Sequence, residues 1–309
     1  MKRTFIRASI AGAALATVLS GVLTTPAGAT EDTADKAGVQ QQAATTESEQ
    51  DRIESYWTDA RMAEALPADA RFNGQGTRHG TEVTPTKRSA AAVGDAVRAN
   101  PNPKLGKVFF TLGGSNYVCS GTATRSANAD VVTTAGHCLN EGPGAFATNF
   151  AFVPAYDNGS RPYGTWTAKR LLTTSGWANT GDFNVDVGFA VMNTDSSGRS
   201  LTQVTGAQDI AFNLARGLSY ESFGYPAASP YNGQLLWKCA DRAGDDQVGG
   251  SNDLSIRCSM TGGSSGGGWI TGGRLNSVNS FGYTTQPNVM YGPYFGSTIQ
   301  SVYNQAQNA

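Results

Sequence analysis

The chain has 309 residues, 39% of them apolar and 15% charged, with a net charge of −1, which is enough length for one or two domains with real cores. Lys plus Arg (23) balances Asp plus Glu (24) and no basic cluster occurs, so nothing marks the chain as a binder of nucleic acid or of an anionic membrane. Gly is abundant at 38 residues and comes with many Ser, Thr and aromatic residues, a composition that leans towards short strands and tight turns.

Lys2 and Arg3 form a basic start, Ala8 to Leu23 is apolar, and Ala27-Gly28-Ala29 is a small-residue cleavage site, so residues 1–29 read as a secretory signal peptide. A membrane anchor is the competing reading, but the run contains Ser9, Gly12, Thr17, Ser20 and Gly21 and is short for a span. Export makes the cysteines legible as disulfides. Four cysteines allow three connectivities, and sequence-local pairing joins Cys119 to Cys138 and Cys239 to Cys258. Each bridge is worth roughly 3 kcal/mol by chain entropy, one in each half of the compact chain. Zinc is the weaker use, since no Cys-x-x-Cys pair exists and only two histidines are present.

Residues 30 to about 50 are polar and expected to be disordered. Asp51 to Leu66 places Ile53, Trp57, Met62 and Leu66 at helical spacing and predicts one amphipathic helix, ended by Pro67. Phe72 to Ala92 is again polar, with the dibasic Lys87-Arg88 inside and a loop histidine, His79, that has no partner motif. One helix between polar flanks, ahead of the compact chain, reads as a pro-segment over residues 30–104. A permanently attached extension is the alternative.

The compact part begins near Leu105. Lys107 to Leu112 predicts a strand, Gly113 to Asn116 a hairpin turn, and Tyr117 to Ala123 the returning strand. Val131 to Ala135 predicts another strand, whose end delivers Gly136-His137-Cys138. A histidine at the rim of a sheet, beside a cysteine that can tie it back to Cys119, is held as a general base must be. The stretch from Gly181 to Val191 offers two carboxylates. Asp186 directly precedes a buried apolar strand and so needs a polar partner, which His137 can supply; Asp182, in the preceding turn, is the fallback.

Cys258 to Ile270, read CSMTGGSSGGGWI, carries the candidate nucleophile Ser265 among glycines whose backbone N–H groups can receive an oxyanion. A flexible linker would rarely have a cysteine seven residues upstream and Trp269-Ile270 immediately after. The run also satisfies the G-x-S-x-G elbow of α/β-hydrolases, but those proteins place acid and histidine after the serine, and here both histidines precede it.

The order His137, Asp186, Ser265 is that of chymotrypsin-like serine peptidases. Thr133-Thr-Ala-Gly-His-Cys138 resembles that family's histidine motif, with Gly136 where Ala is common; Val185-Asp-Val-Gly-Phe189 resembles its aspartate motif and Gly263-Ser-Ser-Gly-Gly267 its nucleophile loop. Thr261 to Gly267 and the Ser280-Phe281-Gly282 strand are similar to the secreted bacterial V8-like, or glutamyl-endopeptidase-like, branch. The resemblance covers roughly residues 105–309. It implies an all-β fold of two antiparallel six-stranded β-barrels, over 105–205 and 206–309, with the site between them and a C-terminal helix near Ser297 to Gln307.

It also implies a secreted serine endopeptidase, acting on polypeptides without a cofactor. It would bind neither nucleic acid nor membrane once the signal is removed, and a monomer is expected. Ser265 attacks the peptide carbonyl, His137 carries the proton, Asp186 orients the imidazole, and the N–H groups of Gly263 and Ser265 form the oxyanion hole. Substrate backbone pairs with Ser280, Phe281 and Gly282 as an added strand. Family members activated by a new N-terminus carry an Asp where this chain has Ser264, so that switch lacks its acceptor and the pro-segment is expected to assist folding or cover the cleft. Ser259 stands where trypsins carry a specificity Asp, and Asn279 where Glu-specific members carry a substrate-binding His, so neither charge preference is encoded and no P1 residue is assigned.

A subtilisin-like order would need Asp95 or Asp130 as the acid. A catalytically silent secreted binding protein on a peptidase fold is the rival from another class. Trp237, Trp269 and Tyr283 are expected as core rather than ligand platform.

Overall fold

The computed structural model describes residues 38–72 and 95–309; the expected signal peptide, His79 and Lys87-Arg88 lie outside the described residues. Part of the stretch expected to be disordered is ordered. Gly38–Gln42 forms β1, antiparallel to Trp166–Thr174 with Gly38 opposite Thr174. Its side chains contribute little, but a sheet edge satisfies its backbone donors and acceptors.

The single helix expected over 51–66 is two, α1 (Glu47–Tyr56) and α2 (Asp59–Glu64), followed by the two-residue strand β2 (Leu66–Pro67) and a 3-10 turn over Ala68–Phe72. A capping box starts α1 early: Thr46 Oγ1 accepts from the Glu49 N–H and the Glu49 carboxylate accepts from the Thr46 N–H. The break falls at Trp57 because the Thr58 hydroxyl caps α2, accepting from the Arg61 N–H, while the Trp57 indole turns inward and donates to the Asn149 carbonyl at 2.6 Å. Ile53, Trp57 and Met62 are buried as their spacing predicts, whereas Leu66 is 50% exposed and pairs through its backbone.

After β3 (Val97–Arg98) come β4 (Leu105–Leu112), β5 (Ser115–Thr124), β6 (Val131–Thr134), β7 (Thr148–Pro154), β8 (Trp166–Thr174), the short helix α3 (Ser175–Thr180) and β9 (Gly188–Met192). The hairpin turn between β4 and β5 is only Gly113-Gly114, with Ser115 and Asn116 already paired. Neighbours run β8-β7-β4-β5-β6-β9, and β8 pairs back onto β9, which closes a six-stranded barrel. Phe110, Phe152, Leu171 and Phe189 are fully buried inside the cluster that fills it, each worth about 1.5–3 kcal/mol over an exposed position. The Cys119–Cys138 disulfide fastens β5 to the turn after β6.

The second half contains α4 (Leu201–Thr205), β10 (Asp209–Ile210), β11 (Ser219–Gly224), β12 (Trp237–Arg242), β13 (Gly244–Asp245), β14 (Leu254–Arg257), β15 (Gly268–Thr271), β16 (Arg274–Val278), β17 (Val289–Gly292) and α5 (Ser297–Gln307). A six-stranded sheet runs β10-β16-β15-β11-β12-β3, and a second sheet runs β13-β14-β17. Cys239–Cys258 links β12 to the loop after β14, and Trp269 is buried against Tyr220 beneath it. Residues 97 and 98 were expected in the pro-segment. They belong to this sheet because their backbone covers the edge of β12, Val97 opposite Lys238 and Arg98 opposite Trp237. Helix α5 forms where expected, setting Ile299, Val302 and Ala306 into the barrel cluster while Tyr303 donates to the Arg125 carbonyl at 2.6 Å.

Trp57 is the largest buried side chain of residues 38–72, packed on Phe109 and Tyr56. Trp57→Ala is expected to cost about 3–5 kcal/mol of local packing. Hydrogen exchange checks this: amides of α1 and α2 should exchange at least tenfold faster, with β4 to β9 unchanged.

Candidate active site

His137 sits in a one-turn 3-10 segment, Gly136–Cys138, directly after β6. Its ring Nδ1 lies 2.8 Å from Asp186 Oδ2, and its backbone N–H donates to Asp186 Oδ1 at 2.8 Å. The third contact comes from the second half of the chain, where the Ser280 hydroxyl donates to Asp186 Oδ2 at 2.6 Å. Burial alone would push the Asp186 carboxyl up, but His137 and these hydrogen bonds outweigh it and hold the group below its usual range. Gly136 is explained by the same packing, since a Cβ there would come within 2.9 Å of both Asp186 Oδ1 and Trp177 Cδ1. Trp177, from α3, flanks the imidazole at 6.0 Å between ring centroids. The fallback Asp182 instead caps the turn before Asp186 by accepting from the Asn184 N–H. Asp130 binds the Leu201 N–H and the Ser200 hydroxyl, far from any role on His137.

Ser265 lines the same cleft as His137. Two peptide planes around it are pinned from behind. The Gly262 carbonyl accepts from the Ala227 N–H at 2.6 Å, and the Ser264 carbonyl accepts from Asn279 Nδ2 at 2.9 Å and from the Gly267 N–H at 3.0 Å. In a trans peptide the N–H points opposite to the carbonyl. The N–H groups of Gly263 and Ser265 are thereby turned to the other side, and among the described residues they donate to no acceptor. Gly263 has φ of 93° and meets Tyr225 and Ala227 so closely that a Cβ would come within 2.8 Å of the Ala227 methyl. Its carbonyl accepts from the Ser120 hydroxyl at 3.0 Å, and Ser120 N–H donates to the Ser265 carbonyl at 2.7 Å.

Asn279 does not line the cleft, although its position in the resemblance placed it there. It is fully buried. Nδ2 donates to the Phe223 and Ser264 carbonyls, and Oδ1 accepts from the Ser222 hydroxyl and the Trp269 indole. With every donor and acceptor of its amide satisfied inside, the side chain has nothing left to offer a substrate. Ser259 does line the cleft, but its hydroxyl is engaged by the Ala96 N–H at 2.9 Å. Phe281 and Gly282 lie on the cleft wall, where Phe281 bridges Tyr291. Tyr283 is also on that wall rather than in the core, its hydroxyl donating to Asp246 at 2.9 Å. Trp269 is core as expected.

Two further residues give no signal in the sequence. Asp69, in the turn after β2, accepts a hydrogen bond from Ser265 Oγ at 3.0 Å. Asp253 is buried near the site with Oδ1 facing no polar partner, its other oxygen accepting from Ser251 at 2.9 Å. Among the described residues one group of His, Cys and acidic side chains lies close enough to share an ion, Cys119, His137 and Cys138, and its two sulfurs are joined to each other.

No family model matches the chain. A curated relative, an extracellular metalloprotease of Bacillus subtilis (strain 168), is 32% identical over 79 residues, and the matched part spans about a quarter of each protein (26% of this chain, 24% of the relative). Among solved structures, the protease Anisep from Arthrobacter nicotinovorans is 54% identical, with a TM-score of 0.68, over 69% of this chain and 100% of its own. The thermostable serine protease AL20 from an extremophilic microorganism is 50% identical, with a TM-score of 0.65, over 67% of this chain and 98% of its own. A Glu endopeptidase shares the fold at 17% identity and a TM-score of 0.57, over 71% of this chain and 100% of its own. Fold, site and these likenesses define a serine endopeptidase, and the chain belongs to the bacterial serine proteases of chymotrypsin-like fold. Its substrates are polypeptides.

Burial pushes the Asp253 carboxyl up to about 7, with Asp186, Asp246 and Asp182 adding to the rise and Ser251 opposing it. A folded value above the ordinary one means that the fold disfavours the charged form, so stability falls as pH rises from about 4 to 7 and the penalty is complete above that. Asp253→Asn is expected to raise the melting temperature at pH 8 by several degrees and to change it little at pH 3.5, where both proteins carry a neutral group. A value on the order of a few kcal/mol corresponds to the displacement, and melts at the two pH values check it.

Proposed function

We propose that this protein cleaves peptide bonds with Ser265 as nucleophile, His137 as general base and Asp186 as the group that orients it, through an acyl-enzyme on Ser265. The observation that carries the reading is the buried contact of His137 Nδ1 with Asp186 Oδ2 at 2.8 Å. An ionised carboxylate only accepts hydrogen bonds, so Nδ1 carries a proton, and in the neutral imidazole this leaves the lone pair on Nε2. Ser265 Oγ attacks the scissile carbonyl carbon as its proton passes to Nε2. The carbonyl oxygen becomes an oxyanion held by the N–H groups of Gly263 and Ser265, a contribution of about 3 kcal/mol per donor. The amine leaves with the proton from His137, and water, activated the same way, releases the acid. An extended substrate pairs with the edge formed by Ser280 to Gly282, whose Ser280 carbonyl and Gly282 N–H take no partner among the described residues.

The same reading makes the chain an exported monomer, with residues 1–29 as signal peptide and the residues after them as a pro-segment. Because Ala96 donates to Ser259 and residues 97 and 98 complete the sheet of β12, the catalytic unit includes them and maturation would cut upstream of Ala96.

Ser265→Ala tests the reading when incubated beside wild type with a mixed peptide library and read by mass spectrometry. Wild type alone should cleave, leaving Ser265→Ala at least a thousandfold slower. Equal cleavage by both would exclude Ser265, and cleavage by neither although the pro-segment is gone would move the binding-protein reading ahead.

Asn279 acts in this scheme as a positioning residue. Asn279→Asp keeps the shape but sets an acceptor against the Ser264 carbonyl. It is expected to lower kcat by roughly 10- to 100-fold with KM within threefold. A rise in KM at unchanged kcat would place Asn279 in substrate binding instead.

A further inference from the structure

The turn after β2 lies in the cleft. Asp69 accepts the hydrogen bond of Ser265 Oγ at 3.0 Å, and its other oxygen stands so near Gly262 that a Cβ there would be 2.6 Å away. A hydroxyl has one proton to donate. While Asp69 holds it, Ser265 cannot direct it to His137. The residues on either side fix this contact. Upstream, Leu66 and Pro67 run parallel to Tyr117 and Val118 of β5, the strand carrying Cys119, and Ala68 is fully buried in the barrel cluster. Downstream, the Arg71 guanidinium donates to the His137 carbonyl and lies 5.4 Å from the Tyr117 ring centroid. Farther back, Met62 and Trp57 are buried and β1 completes the edge of β8.

We propose that residues 66–72 are an autoinhibitory strap, with Asp69 as the plug at Ser265 and Arg71 as its latch on the histidine turn. The strap is not a substrate in waiting. What it presents to Ser265 is a carboxylate, which resists nucleophilic attack, and not a peptide carbonyl. The block therefore lasts until the segment is cut elsewhere and its anchors release.

This inference rests on Ser265 being the nucleophile, and the experiment separates the two. Full-length chain is treated with a serine-directed fluorophosphonate, wild type beside Asp69→Ala, Arg71→Ala and Ser265→Ala. Labelling is read by intact mass, so that only chain still carrying the strap is scored. Asp69→Ala should label at residue 265 at least tenfold faster than wild type, and Arg71→Ala several-fold faster. Thermal melts confirm folding, and Arg71→Ala tests the same block from its other anchor if Asp69→Ala is unstable. Equal rates in wild type and both strap variants, all at Ser265, would overturn the strap and leave the nucleophile assignment intact. Labelling that persists in Ser265→Ala, or none in any chain, would overturn the nucleophile assignment and the strap with it.

Discussion

A carboxylate sealed from water stays charged only if its neighbours replace what water supplied. Asp186 is fully buried, and its replacements come from two directions: the ring and backbone N–H of His137 from the first barrel, and the Ser280 hydroxyl from the second half. The first pair needs the turn after β6 held rigidly, which the Cys119–Cys138 bridge and the absent side chain of Gly136 make possible. The Ser280 contact exists only when the two halves are docked. The charge that orients the imidazole is thus also a lock between them, and losing one partner would leave an uncompensated buried charge.

The loop around Ser265 repeats this dependence from the other side. Ser120 on β5 receives the Tyr225 N–H and reaches the Gly263 carbonyl, so the first barrel grips the loop that the second half carries. Asn279 holds the same loop from below through the Ser264 carbonyl. Backbone direction around Ser265 is therefore set by partners in both halves, and the pair of N–H groups is arranged before any substrate arrives. Preorganised donors of this kind cost no rearrangement when charge develops.

How much of this is legible in the sequence depends on how local each signal is. His137 and Asp186 stand at strand ends, where a β-branched or apolar run announces the scaffold and a lone polar residue must find a partner. The disulfides likewise join cysteines 19 residues apart. Asn279 is legible in position but not in role, because motif register fixes where a residue lies along a strand and the four partners of its amide fix where it points. The helix break at Trp57 is hidden because apolar spacing continues across it, whereas Thr58, a capping residue, carries the opposing signal. Asp69 is beyond reach. Its partner is 196 residues away, and a charged residue in a polar segment gives no sign of the hydroxyl it meets.

The contact of Asp69 with Ser265 uses the same chemistry as the proposed catalysis, turned against it. Both the imidazole and the carboxylate can accept the proton of the hydroxyl, but the charge each leaves at the site differs. His137 is backed by Asp186, so a proton arriving at Nε2 produces an imidazolium beside a carboxylate. Asp69 instead stands beside the Arg71 cation of its own turn, and it sets a carboxylate against the Ser265 hydroxyl. In the proposed scheme its removal therefore frees the hydroxyl proton for the imidazole and clears a carboxylate from beside Ser265 Oγ. An apolar plug would achieve only the steric part, because it offers no acceptor to the Ser265 hydroxyl, which gives an acceptor side chain at this position a physical reason that bulk alone does not supply.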